Sequence, residues 1–142
     1  MDLGALMPTD APTDLRPYVL AHERMLQLFR PEILSVEQPL VSMLYRFGGR
    51  PDRIVTVDGM RGVLEEKTGG VEKWHCWQTA LQAILESEDC GIPAEALGRW
   101  MVYLGKDGRC RVRQHVNLAD FDEGRRLLRE YAGGASCSAR IA

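Results

Sequence analysis

A chain of 142 residues carries one domain's worth of sequence, and a domain of that length buries roughly 68–70% of the surface its unfolded chain exposes. Apolar content of 45% and charged content of 27% match a soluble globular protein, and no apolar run approaches the roughly 18 residues of a bilayer-crossing helix. A net charge of −2 excludes a protein that coats nucleic acid by bulk attraction, while leaving room for a local basic surface.

Residues 1–13 mix Pro, Asp, Thr and small side chains, which predicts a flexible arm with no secretory signal in it. Asp14 is placed to cap a helix over 15–29, Pro17 is tolerated in its first turn, and Pro31 closes it. The next segment, ILSVEQPLVSMLYRFGG (33–49), carries conflicting signals. Ser35 and Gln38 imitate a capping box, but Val, Tyr and Phe favour a strand, irregular where Pro39 lacks a donor. With the runs on either side of Asp58-Gly59, this predicts a three-stranded meander over about 36–47, 52–57 and 62–67.

Thr68, Gly69 and Gly70 end the sheet. A helix is predicted over 71–88, with Trp74, Trp77, Leu81, Ile84 and Leu85 at helical period, so both tryptophans are assigned to the core. Cys90-Gly91 ends it, and Pro93–Leu97 is read as one short helical turn. Residues 100–116 predict a hairpin around Lys106-Asp107-Gly108. Its second strand alternates Cys110, Val112 and Val116 with Arg109, Arg111, Arg113 and His115, giving one buried face and one cationic face. Asn117 or Asp120 caps a last helix to about Tyr131, and 133–142 are expected to form a flexible tail. The order α, three strands, α, two strands, α describes one mixed α+β domain over 14–132 with a central sheet.

The charges that close the second strand of the 52–67 hairpin raise a chemical question. Glu65 and Lys67 are two apart, so on a strand their side chains leave the same face, while Glu66 points the other way. Asp52 opens the neighbouring strand and can approach the same end of the sheet. Mg²⁺ or Mn²⁺ takes such oxygen ligands, with waters and substrate phosphate completing the set. An ion held there activates water and stabilises charge developing on a phosphodiester, and a lysine beside it supplies a point charge for the attack. Gly69 and Gly70 let a large backbone such as DNA come close. The plain alternative is a solvated strand end and turn.

These residues resemble the PD-(D/E)XK nuclease superfamily, and within it the RecB-type and phage exonuclease branch. The resemblance rests on Gly49, Asp52-Arg53-Ile54, Asp58-Gly59, Glu65, Lys67-Thr68-Gly69 and Gln78 with Ala80-Leu81. Val36-Glu37-Gln38-Pro39 fits the strand that precedes this motif. Motif-level agreement runs from about residue 35 to 88, and beyond it only the general pattern agrees. The resemblance implies a restriction-endonuclease-like central mixed sheet of about five strands flanked by helices. It implies a Mg²⁺- or Mn²⁺-dependent hydrolase acting on DNA, with Asp52, Glu65 and the Glu66 carbonyl as metal ligands and Lys67 as the catalytic lysine. Gln78 orients the lysine or the substrate phosphate, and Glu37, ahead of His22, is the candidate extra ligand. Arg109, Arg111 and Arg113 are either a DNA-contacting rim or a solvated face. The setting implied is a bacterial or phage-infected cytoplasm and DNA recombination. A chain this short implies self-association or a partner, such as a single-strand-annealing protein or a helicase, to extend the grip on DNA. The same fold without catalysis, holding nucleic acid or a partner, is the principal alternative.

Three further readings stay open at this point. Cys76, Cys90, Cys110 and Cys137 form no C-x-x-C pair, so free thiols are the default and a converging iron–sulfur cluster the alternative. KWHCWQTAL (73–81) is similar to the nucleophile helix of papain-like cysteine peptidases, but only His115 follows as a base. CGIPAEALGRW (90–100) resembles the second half of a helix-turn-helix with the basic hairpin as a wing, although Glu86 occupies a position that should be apolar.

Overall fold

The computed structural model describes residues 12–134 and 139–140. Helix α1 spans Arg16–Phe29 with Pro17 in its first turn. Its N-cap is Leu15, without a side-chain cap, so Asp14 does not play the capping role its type suggested. Arg30 closes the helix in the left-handed region at φ 50°, its N–H bonding the Leu26 carbonyl. No helix among the described residues is long and apolar enough to cross a membrane.

Five strands form the main sheet, β1 (Glu32–Val36), β4 (Arg53–Val57), β5 (Met60–Lys67), β6 (Gly98–Leu104) and β7 (Cys110–Gln114), side by side in that order. Only β5 and β6 run parallel, joined by the crossover through α2 (His75–Cys90); all other neighbours are antiparallel. This is the mixed, five-stranded α+β architecture expected.

The meander was expected to begin with one long strand, and here the chain departs from expectation. That strand starts earlier, at Glu32, and stops at Val36. Glu37 then turns at φ 49° and Pro39 contributes no donor, so the chain leaves the sheet. The remainder, β2 (Leu40–Ser42) and β3 (Phe47–Gly49), folds into a separate hairpin, and β8 (Ala139–Arg140) adds a parallel strand to it. Among the described residues, β8 follows α3 (Ala119–Gly134).

The Asp58-Gly59 turn has positive φ at both residues, 49° and 82°, which suits the right-handed twist of a two-residue hairpin. Gly62 is required for a different reason: a Cβ there would lie 2.1 Å from the Gly98 carbonyl oxygen of the parallel neighbour. Two cores flank the sheet. Ala21 and Met25 of α1 cover Val55, Leu64, Trp100 and Val102 on one face. On the other, Leu81, Ile84 and Leu85 of α2 with Phe121 and Leu128 of α3 cover Ile54 and Val63. Period-2 alternation along β4 and β5 therefore decides which side chains face α1 and which face α2.

Candidate active site

The β4–β5 pairing brings Asp52 beside Glu65. Arg53 is registered with Leu64, so the residue before β4 lies opposite Glu65. The Asp52 backbone N–H donates to Glu65 Oε2 at 3.2 Å, and Asp52 Oδ2 accepts the Glu66 backbone N–H at 2.9 Å. Glu65 faces α2, where Gln82 Nε2 donates to its Oε2 at 2.9 Å and Gln78 Nε2 to its Oε1 at 3.4 Å. Lys67, two residues along the same face, holds its Nζ 3.9 Å from Glu65 Oε1. Asp52, Glu65, Lys67 and Gln78 are thus gathered into one site, drawn from two strands and a helix.

The electrostatics of this pair are strained. Burial, and then the neighbouring Asp52 charge, push the Glu65 carboxyl up to about 7 from an ordinary 4.5. Donation from Gln82 and the Asp52 amide and the charge of Lys67 offset part of this. Asp52 is also raised, chiefly by burial, against the stabilising hydrogen bond from the Glu66 amide. Two neighbouring buried carboxylates of this kind resist ionising together.

Glu66 leaves the opposite face, as alternation requires, and enters a buried cluster under α1. His22 Nδ1 lies 2.9 Å from Glu66 Oε2, and Arg53 Nη1 contacts Oε1. His22, the rival extra ligand, is therefore engaged on the far side of β5 from Glu65. The Glu37 backbone N–H donates to the Asp52 carbonyl at 2.9 Å, which puts residue 37 next to the site, but its side chain is exposed. Among the described residues no three His, Cys, Asp or Glu side chains converge into a group able to hold an ion. Glu37 accordingly does not complete a three-carboxylate set, and Cys76, Cys90 and Cys110 do not gather as cluster ligands; Cys137 lies outside the described residues.

The arginines are positioned by register. Glu65 pairs with Met101 and Met101 with Arg113; Lys67 pairs with Tyr103 and Tyr103 with Arg111. Directly paired residues share a face, so Arg111 and Arg113 stand on the Glu65–Lys67 side two strands away, about 10 Å across the sheet. The Arg111 guanidinium lies over the Tyr103 ring at 5.6 Å. Arg109 precedes β7, exposed and 3.8 Å from Asp107 Oδ2. Together with Thr68, Gly69, Tyr103, Lys106 and Arg111 it lines an open cleft of about 560 Å³ at the end of β5 and β6.

Several residues were assigned otherwise by sequence reasoning. Gln82 was missed, although it lies four residues after Gln78 and so on the same helix face. Trp74 is not core: it sits just before α2 and is 45% exposed, with Lys67 Nζ 5.1 Å from its ring centroid. His75 is buried, with its Nδ1 2.8 Å from the Tyr103 hydroxyl. Cys76 donates its thiol to the Lys73 carbonyl, and burial pushes that thiol up, the reverse of an activated nucleophile. Residues 94–96 form a three-residue 3-10 turn running directly into β6, so no recognition helix follows α2. Glu86 is buried in a salt bridge with Arg61.

In comparisons with known proteins, no family model matches the chain and no curated protein matches it.

Proposed function

We propose that this protein is a Mg²⁺- or Mn²⁺-dependent deoxyribonuclease of the PD-(D/E)XK kind, hydrolysing phosphodiester bonds in DNA. The observation that carries the reading is the convergence of Asp52, Glu65 and Lys67 at one sheet end, with Glu65 pushed up to about 7 beside Asp52. A destabilised carboxylate pair next to a single lysine is the donor set that a hard divalent cation relieves.

Asp52 and Glu65 would hold the ion. The Glu66 carbonyl, on the strand edge whose amide Asp52 already binds, is the further oxygen. With only two carboxylates, the rest of the coordination falls to water and substrate phosphate, as is usual for Mg²⁺. Bound there, the ion supplies an activated water and charge stabilisation for the phosphodiester. Gln78 and Gln82 hold the Glu65 carboxylate in one orientation from α2. Lys67 presents its ammonium beside Glu65 and so carries positive charge to the scissile phosphate. Thr68, Gly69 and Gly70 are exposed beyond it, and a Cβ added at either glycine would meet nothing within 4 Å, which leaves room for a DNA backbone.

The test is incubation with linear and circular, single- and double-stranded DNA in Mg²⁺, Mn²⁺ or chelator, beside Asp52→Ala and Lys67→Ala. The reading expects metal-dependent cleavage that both variants lose. Tight DNA binding without cleavage by the parent protein would replace it with a non-catalytic binding function of the same site.

A further inference from the structure

Trp74 is a partly exposed aromatic side chain that the proposed hydrolytic chemistry does not use. An indole left 45% exposed beside a buried carboxylate pair forgoes much of the burial such a side chain ordinarily contributes. Its position is nevertheless fixed. The His75 ring meets it edge-on, with centroids 4.5 Å apart and planes at 78°. His75 is itself only 3% exposed and is held by the Tyr103 hydroxyl. On the site side, the Lys67 ammonium lies 5.1 Å from the indole centroid and 3.9 Å from Glu65 Oε1. The indole is thus a braced, partly exposed aromatic surface one lysine away from the candidate metal ligands.

We propose that Trp74 is a stacking platform for an unpaired nucleobase next to the scissile phosphate, which makes single-stranded or frayed DNA the substrate class. This placement of the phosphate rests on the nuclease reading above. A base inside a duplex has both faces covered by its neighbours, whereas an unstacked base offers a π-face to an aromatic side chain. Lys67 serves both partners: its charge faces the phosphate oxygens, and its contact with the indole holds the platform beside them. Arg111 and Arg113, on the same face, follow the backbone of the strand leading away.

The test is a binding titration by fluorescence anisotropy in Ca²⁺, which takes the same oxygen ligands, and again in chelator. The probes are a labelled thymidine oligonucleotide, its abasic counterpart and a blunt duplex. Wild type is compared with Trp74→Phe and Trp74→Ala, each first checked for an unchanged melting transition. We expect Trp74→Ala to bind the thymidine strand roughly fivefold or more weakly, the value of one stacked base, and Trp74→Phe to keep most of the affinity. The abasic strand should bind both proteins alike, and the duplex should be insensitive to the change. Equal binding of the thymidine strand by wild type and Trp74→Ala, or no binding of single strands at all, overturns the platform. Cleavage assays on the same proteins separate the two readings. Intact cleavage with no Trp74 effect removes the platform and leaves the nuclease, whereas a Trp74 effect on binding by a protein that cuts nothing removes the nuclease and leaves the platform.

Discussion

Asp52 and Glu65 face each other across the β4–β5 pair, the Asp52 amide donating to the Glu65 carboxylate while the two side-chain charges repel. The backbone thus holds together what the charges would separate. Glu65 binds its proton more tightly folded than unfolded, since its carboxyl is raised from 4.5 to about 7. The corresponding stability is fully present below pH 4.5 and is lost as pH rises through 7. Glu65→Gln removes that titration and keeps an oxygen to accept from Gln82. The variant should therefore be more stable than wild type at pH 8, by up to ~3 kcal/mol, with the gain vanishing near pH 4. Urea denaturation across that range measures it, and a difference independent of pH would contradict it.

Metal binding should compete with the same proton. Below about pH 7 a divalent ion must displace a proton from Glu65, so Mn²⁺ affinity should rise nearly tenfold per pH unit and level off above. Gln82 donates to the ionised carboxylate and holds its titration down. Gln82→Leu should move the break in the affinity profile to higher pH, and Glu65→Gln should abolish it. Titration calorimetry at several pH values reads both effects; a flat profile in wild type would exclude Glu65 as the ligand.

The clamp behind β5 predicts a loss of stability. Glu66 bridges His22 of α1 and Arg53 of β4 where the arginine side chain is only 8% exposed. Removing one member of a buried ion pair costs about 3–5 kcal/mol, because the remaining charge stays desolvated. Glu66→Ala should lower the unfolding free energy by about that much, whereas Glu66→Gln, which retains an acceptor, should lose less. Equal losses in the two variants would mean that the carboxylate's packing, not its polarity, sets the stability.

The hairpin that carries the site was legible because its signals are local. Asp58-Gly59 specifies a turn, and period-2 alternation then sends Glu65 and Lys67 one way and Glu66 the other. The 32–49 segment was not legible, because its pairing is settled elsewhere. The break falls at Glu37 in a left-handed conformation, a residue type with no preference for it, and β1 finds its partner in β4 some twenty residues on. Trp74 departs from the helical period for a related reason: α2 begins at His75 rather than at residue 71 and leaves the indole outside it. His75 is buried because Tyr103 meets it from β6, a contact between residues 28 apart in sequence.

The two strand arginines on the site face yield a prediction that separates a DNA rim from a solvated surface. Arg111 and Arg113 are in direct register, through Tyr103 and Met101, with Lys67 and Glu65. A cation that neutralises one phosphate of a single strand contributes about −0.7 to the slope of log affinity against log salt. Arg111→Ala and Arg113→Ala should each weaken binding at low salt without regard to base sequence, and each should flatten the slope by about that amount. Arg109→Ala should have the smaller effect, since Asp107 sits 3.8 Å from its guanidinium. Anisotropy titrations from low to moderate salt measure the slopes. If neither Arg111 nor Arg113 alters them, the row is solvated and the strand must leave the site by another path, along the exposed Thr68–Gly70 segment.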